Sequence, residues 1–207
     1  MKDSNIVIGF IGKAQAGKDT CSSMAQKFLS ENDIELTHFA FADLLKQQCK
    51  DIAYWDGEKD DEGRILLQTF SAPIKRYANY LSEKYPDNEF YQDMKNGAYY
   101  AANTLRDIRN HPNMLFSITD MRFMDEITLF NSKPDIDLVT IRVKRFNPDG
   151  TVFTGGLSPE ALADRSENEL NDYQEDYTII NDGTLDDLDA KVRKVIYDIF
   201  LDRKIIF

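Results

Sequence analysis

Residues 6–11, Ile-Val-Ile-Gly-Phe-Ile, form a continuous apolar and β-branched run, the pattern of a strand buried on both faces. A helix is expected to follow over 18–29, then a second strand at 36–41 and a helix at 42–53. From 54 to 113 no strand-like run occurs, and the pattern predicts several helices, broken near Pro73 and Pro86. A third strand is expected at 114–119 and a short helix at 123–130. Alternation over 138–143 predicts a fourth strand, 177–180 a fifth, and 184–201 a long amphipathic helix. Between them, 147–156 carries Asn-Pro-Asp-Gly and Gly-Gly, which are turn signals. Strands alternating with helices imply an α/β fold, a parallel sheet with helices on both faces. The core is then 1–53, 114–144 and 171–207, with a helical insertion at about 54–113 and a movable segment at about 145–170.

Length and charge narrow the function classes. The 207 residues suit one domain with at most a small insertion. A net charge of -11 argues against a nucleic-acid polymer as partner, which needs a basic face. No apolar run approaches the roughly 20 residues of a spanning helix. The start, Met1-Lys2-Asp3-Ser4-Asn5, lacks a leader pattern, so a cytoplasmic protein without membrane contact is expected. Cys21 and Cys49 then read as reduced thiols.

The chemistry is concentrated after the first strand, in Gly12-Lys13-Ala14-Gln15-Ala16-Gly17-Lys18-Asp19-Thr20. Gly12, Gly17 and Lys18 fit the G-x-x-x-x-G-K spacing of a phosphate-binding loop. The glycines let backbone wrap a phosphate, successive N–H groups and the helix N-terminus face the anion, and Lys18 reaches the β/γ-phosphates. Asp19 stands where Ser or Thr is usual, so either Asp19 or Thr20 is the expected Mg²⁺ ligand. No Asn-Lys-x-Asp base-reading motif accompanies the loop, which argues against a GTPase switch, and there is no Leu-Ser-Gly-Gly transporter signature.

The loop resembles the GxxxxGKDT segment of bacteriophage-type deoxynucleoside monophosphate kinases. So do Phe41-Ala42-Asp43-Leu44-Leu45-Lys46, Trp55-Asp56-Gly57-Glu58-Lys59-Asp60 with Gly63-Arg64 and Leu67-Gln68, and Asp120-Met121-Arg122-Phe123 with Glu126. Arg165-Ser166-Glu167 and Asn181-Asp182-Gly183-Thr184 continue the series in the family's order. The resemblance implies a P-loop NTPase fold: a three-layer α/β/α core on a five-stranded parallel sheet, a helical NMP-binding insertion and a lid. It implies MgATP as donor, a deoxynucleoside 5′-monophosphate as acceptor and dNDP and ADP as products. A homodimer, and a host cytoplasm if the protein is phage-encoded, are expectations of the same resemblance. Rivals are another small-molecule kinase, such as one acting on a coenzyme precursor, and a catalytically silent nucleotide-binding protein.

Individual residues take roles accordingly. Asp120, at a strand tip, suits a Mg²⁺-water ligand or a helix cap. Arg122 suits a bidentate phosphate clamp, or a salt bridge to Glu126 four positions on. The resemblance sets Lys46, Arg64 and Gln68 around the bound monophosphate. Asp43, Trp55, Lys59 and Glu167 join that acceptor set, although Trp55 equally suits packing. Arg145 and Arg165 are the cations expected to neutralise the moving phosphoryl group. Arg142 and Lys144 read as a solvated basic face. Ser166 and Glu169 have capping-box spacing, as do Thr184 and Asp187. Asn181 suits an adenine neighbour or a simple turn. An acceptor phosphate has a second pKa of about 6, so no general base is required.

Overall fold

The alternation of strands and helices is realised in a computed structural model that describes residues 4–58, 60–112, 114–155 and 157–205. Strand β1 (Asn5–Ile11) leads into α1 (Lys18–Ser30), β2 (Leu36–Phe39) and α2 (Phe41–Ala53). The insertion follows as α3 (Asp61–Lys84), α4 (Glu89–Asp93), a 3₁₀ turn at Lys95–Gly97 and α5 (Tyr99–Arg109). The chain returns as β3 (Leu115–Ile118), α6 (Met124–Asn131) and β4 (Ile136–Arg145). Two single-turn helices, α7 (Pro159–Leu162) and α8 (Arg165–Asn168), precede β5 (Tyr177–Asn181) and α9 (Leu185–Asp202). The five strands form one parallel sheet in the order β2-β3-β1-β4-β5.

Strand β1 lies at the centre and separates two cores. Val7 and Ile11 join Phe116, Ile118, Leu105, Ile127 and Phe130 on the face covered by α2, α5 and α6. Ile8 and Phe10 join Val139, Ile141 and Ile179 beneath α1 and α9. A period of two along a strand buried on both sides explains why the sequence run shows no polar position. Gly9 falls on the first face, where an added Cβ would come within 2.6 Å of Met121 Sδ. That glycine admits the residue between Asp120 and Arg122.

Four local expectations need correction. Pro73 does not break the insertion: α3 runs unbroken through it, to Lys84. Pro73 and Thr69 are both exposed, so water serves the carbonyl that proline leaves unbonded, while Ala78 and Leu81 pin the following turns to the core. The helix ends where Pro86 predicts. Strand β2 stops at Phe39, two residues early, because the Asp120 carboxylate accepts the Phe41 and Ala42 N–H groups at 2.8 and 3.0 Å and starts α2 there. Strand β4 is longer than its alternating run. The Ser166–Glu169 capping box is absent: Asp164 caps α8, accepting from Ser166 N–H at 2.8 Å. The box predicted for α9 is present, with Thr184 and Asp187 bonding reciprocally at 2.9 and 3.2 Å. Among the described residues no helix is long and apolar enough to cross a membrane. Both cysteines are free and buried.

Candidate phosphate-binding cleft

The sheet order places a crevice between β1 and β4. From β1 the chain goes to one edge of the sheet and from β4 to the other, so the helices diverge beyond the two C-terminal strand ends. Residues 12–17 fill the mouth of that crevice. Gly12, Gln15 and Gly17 have φ of 135°, 57° and 103°. An added Cβ at Gly12 would meet the Val143 carbonyl oxygen at 2.4 Å, and one at Gly17 the Asn181 amide at 2.8 Å. Both positions therefore require glycine, for space as well as for φ. The result is a curled backbone leading straight into α1.

Lys18 is buried, and its ammonium donates to the Gly12 and Lys13 carbonyls at 2.9 and 2.8 Å. Burial, and after it the nearby Arg122 guanidinium, lower its pKa to about 8. Two cations thus share a small, poorly hydrated space. Such a group is stabilised by an anion that completes its charge.

Arg122 is held from two directions. Its backbone N–H, with that of Phe123, donates to Glu126 Oε2 at 2.8 and 3.1 Å. Its guanidinium donates to Glu167 Oε1 at 2.5 Å. The anticipated alternative, a salt bridge from Arg122 to Glu126, is not the contact formed: Glu126 grips the peptide and leaves the guanidinium to Glu167. Burial pushes the Glu126 carboxyl up to about 7, against the pull of those two N–H groups. Glu126 was legible in sequence only as a charge at i+4. Its positioning role depends on the extended backbone of Phe123 at the N-cap of α6.

Other expected residues converge on the loop. Asn181, at the end of β5, donates to the Ala16 carbonyl at 2.9 Å, so it braces the loop. Arg145 donates to the Gln15 carbonyl at 3.1 Å and lies 4.0 Å over the Phe153 ring. Lys13 donates to the Glu167 carbonyl and to Asn168 Oδ1. Asp120 sits beneath the loop, its carboxyl pushed up by burial. Asp19 and Thr20 are exposed at the start of α1. A cavity of 440 Å³ opens beside these groups, lined by Lys13, Arg122, Arg145, Phe153, Glu167 and Tyr173 among others.

Arg142 corrects the expected solvated basic face. It is buried, donates to Glu175 at 2.7 Å and donates to the Leu170 and Tyr173 carbonyls at 2.7 and 2.8 Å. Burial alone would raise the Glu175 carboxyl, but the hydrogen bonds from Arg142 and Thr178 prevail and hold it at about 2. The period of two turns Arg142 away from Ile141 and Val143, onto the 170–175 segment. Lys144 remains exposed beside Glu175.

The remaining expected residues do not gather at the loop. Arg165 is 66% exposed, paired with Glu169 and set over the Phe123 ring. Trp55 is nearly buried and donates its indole N–H to the Glu58 carbonyl at 2.9 Å, a clasp within the connection from α2 to α3. Lys46 pairs with Asp43 at 2.7 Å. Arg64 and Gln68 are exposed, four positions apart on α3, and neither side chain has a hydrogen-bond or ion-pair partner among the described residues. Lys59 lies outside the described residues.

No protein-family model and no curated protein matches this chain. Among solved structures, the APS kinase of Mycobacterium tuberculosis in complex with AMPPNP and APS is similar at 12% identity and a TM-score of 0.47, covering 94% of this chain and 99% of that one. A gluconokinase from Sinorhizobium meliloti 1021 is similar at 12% identity and a TM-score of 0.40, covering 98% of this chain and 96% of that one. Identities and TM-scores this low say nothing of what this chain acts on.

Proposed function

We propose that the chain transfers the terminal phosphoryl group of ATP to a deoxynucleoside 5′-monophosphate. The observation that carries this reading is the loop at 12–20, curled at the β1/β4 crevice, with buried Lys18 beside Arg122 and a cavity lined by Gly12, Lys13 and Arg122. Backbone N–H groups and Lys18 hold the donor phosphates. Arg122, aimed by Glu126, neutralises charge on the transferring group and aligns it with the acceptor. Arg145, which lines the same cavity, adds a second cation. Arg165 joins them only if the 145–170 segment rearranges, since it now faces solvent. Lys46, Arg64 and Gln68 form the acceptor's side, and the acceptor phosphate is its own nucleophile.

Mg²⁺ accompanies the donor, and the residues fit it. Asp19 and Thr20 stand exposed at the start of α1 and Asp120 lies close enough to Lys18 to act on its charge, a donor set of hard oxygens that suits an ion held chiefly by phosphates, water and one or two carboxylates. Asp19 or Thr20, with Asp120 through water, would hold it, and the ion would supply charge neutralisation across the β- and γ-phosphates.

The test is ADP release from MgATP against a panel of deoxy- and ribonucleoside monophosphates, with Lys18→Ala as control. Turnover with one or a few deoxynucleotides supports the proposal and names the base. ATP binding without acceptor-dependent turnover rejects it in favour of another small-molecule kinase or a silent binder.

A further inference from the structure

The loop already has an anion. Ala14 N–H donates to Glu167 Oε2 at 2.7 Å, while Arg122 holds Oε1 of the same carboxylate. Lys13 donates to the Glu167 backbone carbonyl and, at 3.1 Å, to Asn168 Oδ1. One residue is thus gripped by both its side chain and its main chain. The Glu167 side chain is only 6% exposed. A loop N–H and a guanidinium meeting on one pair of oxygens is how such a loop takes a phosphate. The other acids near Lys18 do not do this: Asp120 gives both oxygens to α2, and Asp19 is exposed.

We infer that Glu167 is a resident occupant of the phosphate-binding loop, a phosphate surrogate carried on the 145–170 segment that a polyphosphate ligand must displace. This rests on the phosphate reading of the loop given above and adds a competitor within the chain. Two consequences follow. Apparent ligand affinity is reduced by the fraction of molecules in which Glu167 is seated. Displacement also frees Arg122, so the guanidinium passes from carboxylate to phosphate only once a donor has arrived. Seating the donor and arming the arginine become one event.

Tripolyphosphate, which has no base or sugar, tests this by calorimetric titration of the full chain. Glu167→Gln keeps the bulk and an acceptor oxygen but carries no charge. Glu167→Asp keeps the charge but is one methylene too short to reach Ala14 N–H with the backbone still held by Lys13. Tripolyphosphate is expected to bind both variants about tenfold or more tighter than wild type. Thermal unfolding verifies that each variant is folded, and either one serves if the other is not. Tightening in Glu167→Gln without any in a folded Glu167→Asp overturns the inference, since it assigns the effect to charge alone. Wild-type binding that neither variant improves overturns the inference and leaves the phosphate reading standing. If neither wild type nor the variants bind tripolyphosphate, both fall together.

Discussion

Residues 12–20 and the helical insertion contribute to the same proposed reaction, yet they are built in opposite ways. The loop is tied from every side: Asn181 from β5, Arg145 from β4, Glu167 from α8, and Lys18 folded back on its own carbonyls. Arg64 and Gln68 on α3 stand in water, and Lys46 is occupied by Asp43. In the proposed reaction the loop backbone on the donor side is preformed, and the cost of binding there is the displacement of Glu167. The acceptor side gathers around a ligand only if side chains turn or α3 shifts, and part of the binding energy then goes into closure. Under the proposed function, the charge constellation is complete only when donor and acceptor are both bound.

Several substitutions would break or sharpen that contrast. The largest effect is expected at Lys18. Lys18→Ala should lower turnover about 10³-fold with the unfolding temperature retained, read from ADP release and thermal melts. An active Lys18→Ala protein would dissolve the donor side altogether. Next is Arg142→Met, which leaves partly buried Glu175 with only the exposed Lys144 beside it and removes the donor to the Leu170 and Tyr173 carbonyls. Urea unfolding should register a loss of about 2–3 kcal/mol, because these contacts support the wall of the cavity.

Arg64→Ala should raise the acceptor KM about tenfold while leaving ATP affinity untouched. Equal loss on both substrates would mean that the two sides are not separate. The pH dependence of tripolyphosphate binding comes next. With a pKa lowered to about 8, Lys18 carries its proton below that pH and loses it above. An anion stabilises the charged form, so affinity should fall about tenfold between pH 7 and 9 in wild type and not in Lys18→Ala. The smallest effect is expected for Trp55→Phe, about 1 kcal/mol in stability from the lost indole hydrogen bond, with acceptor KM unchanged. A changed KM would return Trp55 to the acceptor site.

The loop was the most legible part of the candidate site because its curl is a matter of backbone shape. Glycines at 12 and 17, a strand before and a helix after leave few other conformations. The five strands were legible for a similar reason, since burial on both faces writes itself as apolar runs. Helix boundaries were less so. Pro73 carries a strong local signal that packing of Ala78 and Leu81 overrides. Arg142 looked like a surface charge because sequence does not tell which strand face a segment thirty residues later will cover. For Asn181 the sequence offers an adenine neighbour or a turn; its brace on the loop is a contact across 165 positions that no local pattern shows.

The sequence by itself therefore determined the α/β alternation, the parallel sheet and the position of the glycine-rich loop at 12–17. All three depend on periodicity and on glycines within a few residues of one another. Only the tertiary structure decided what the charged side chains do. Glu126 grips the Arg122 backbone, Asp120 starts α2, Arg142 turns inward and Glu167 lies in the loop. A charge's role is set by whichever partner folding brings within about 3 Å of it, and those partners lie on elements far apart along the chain.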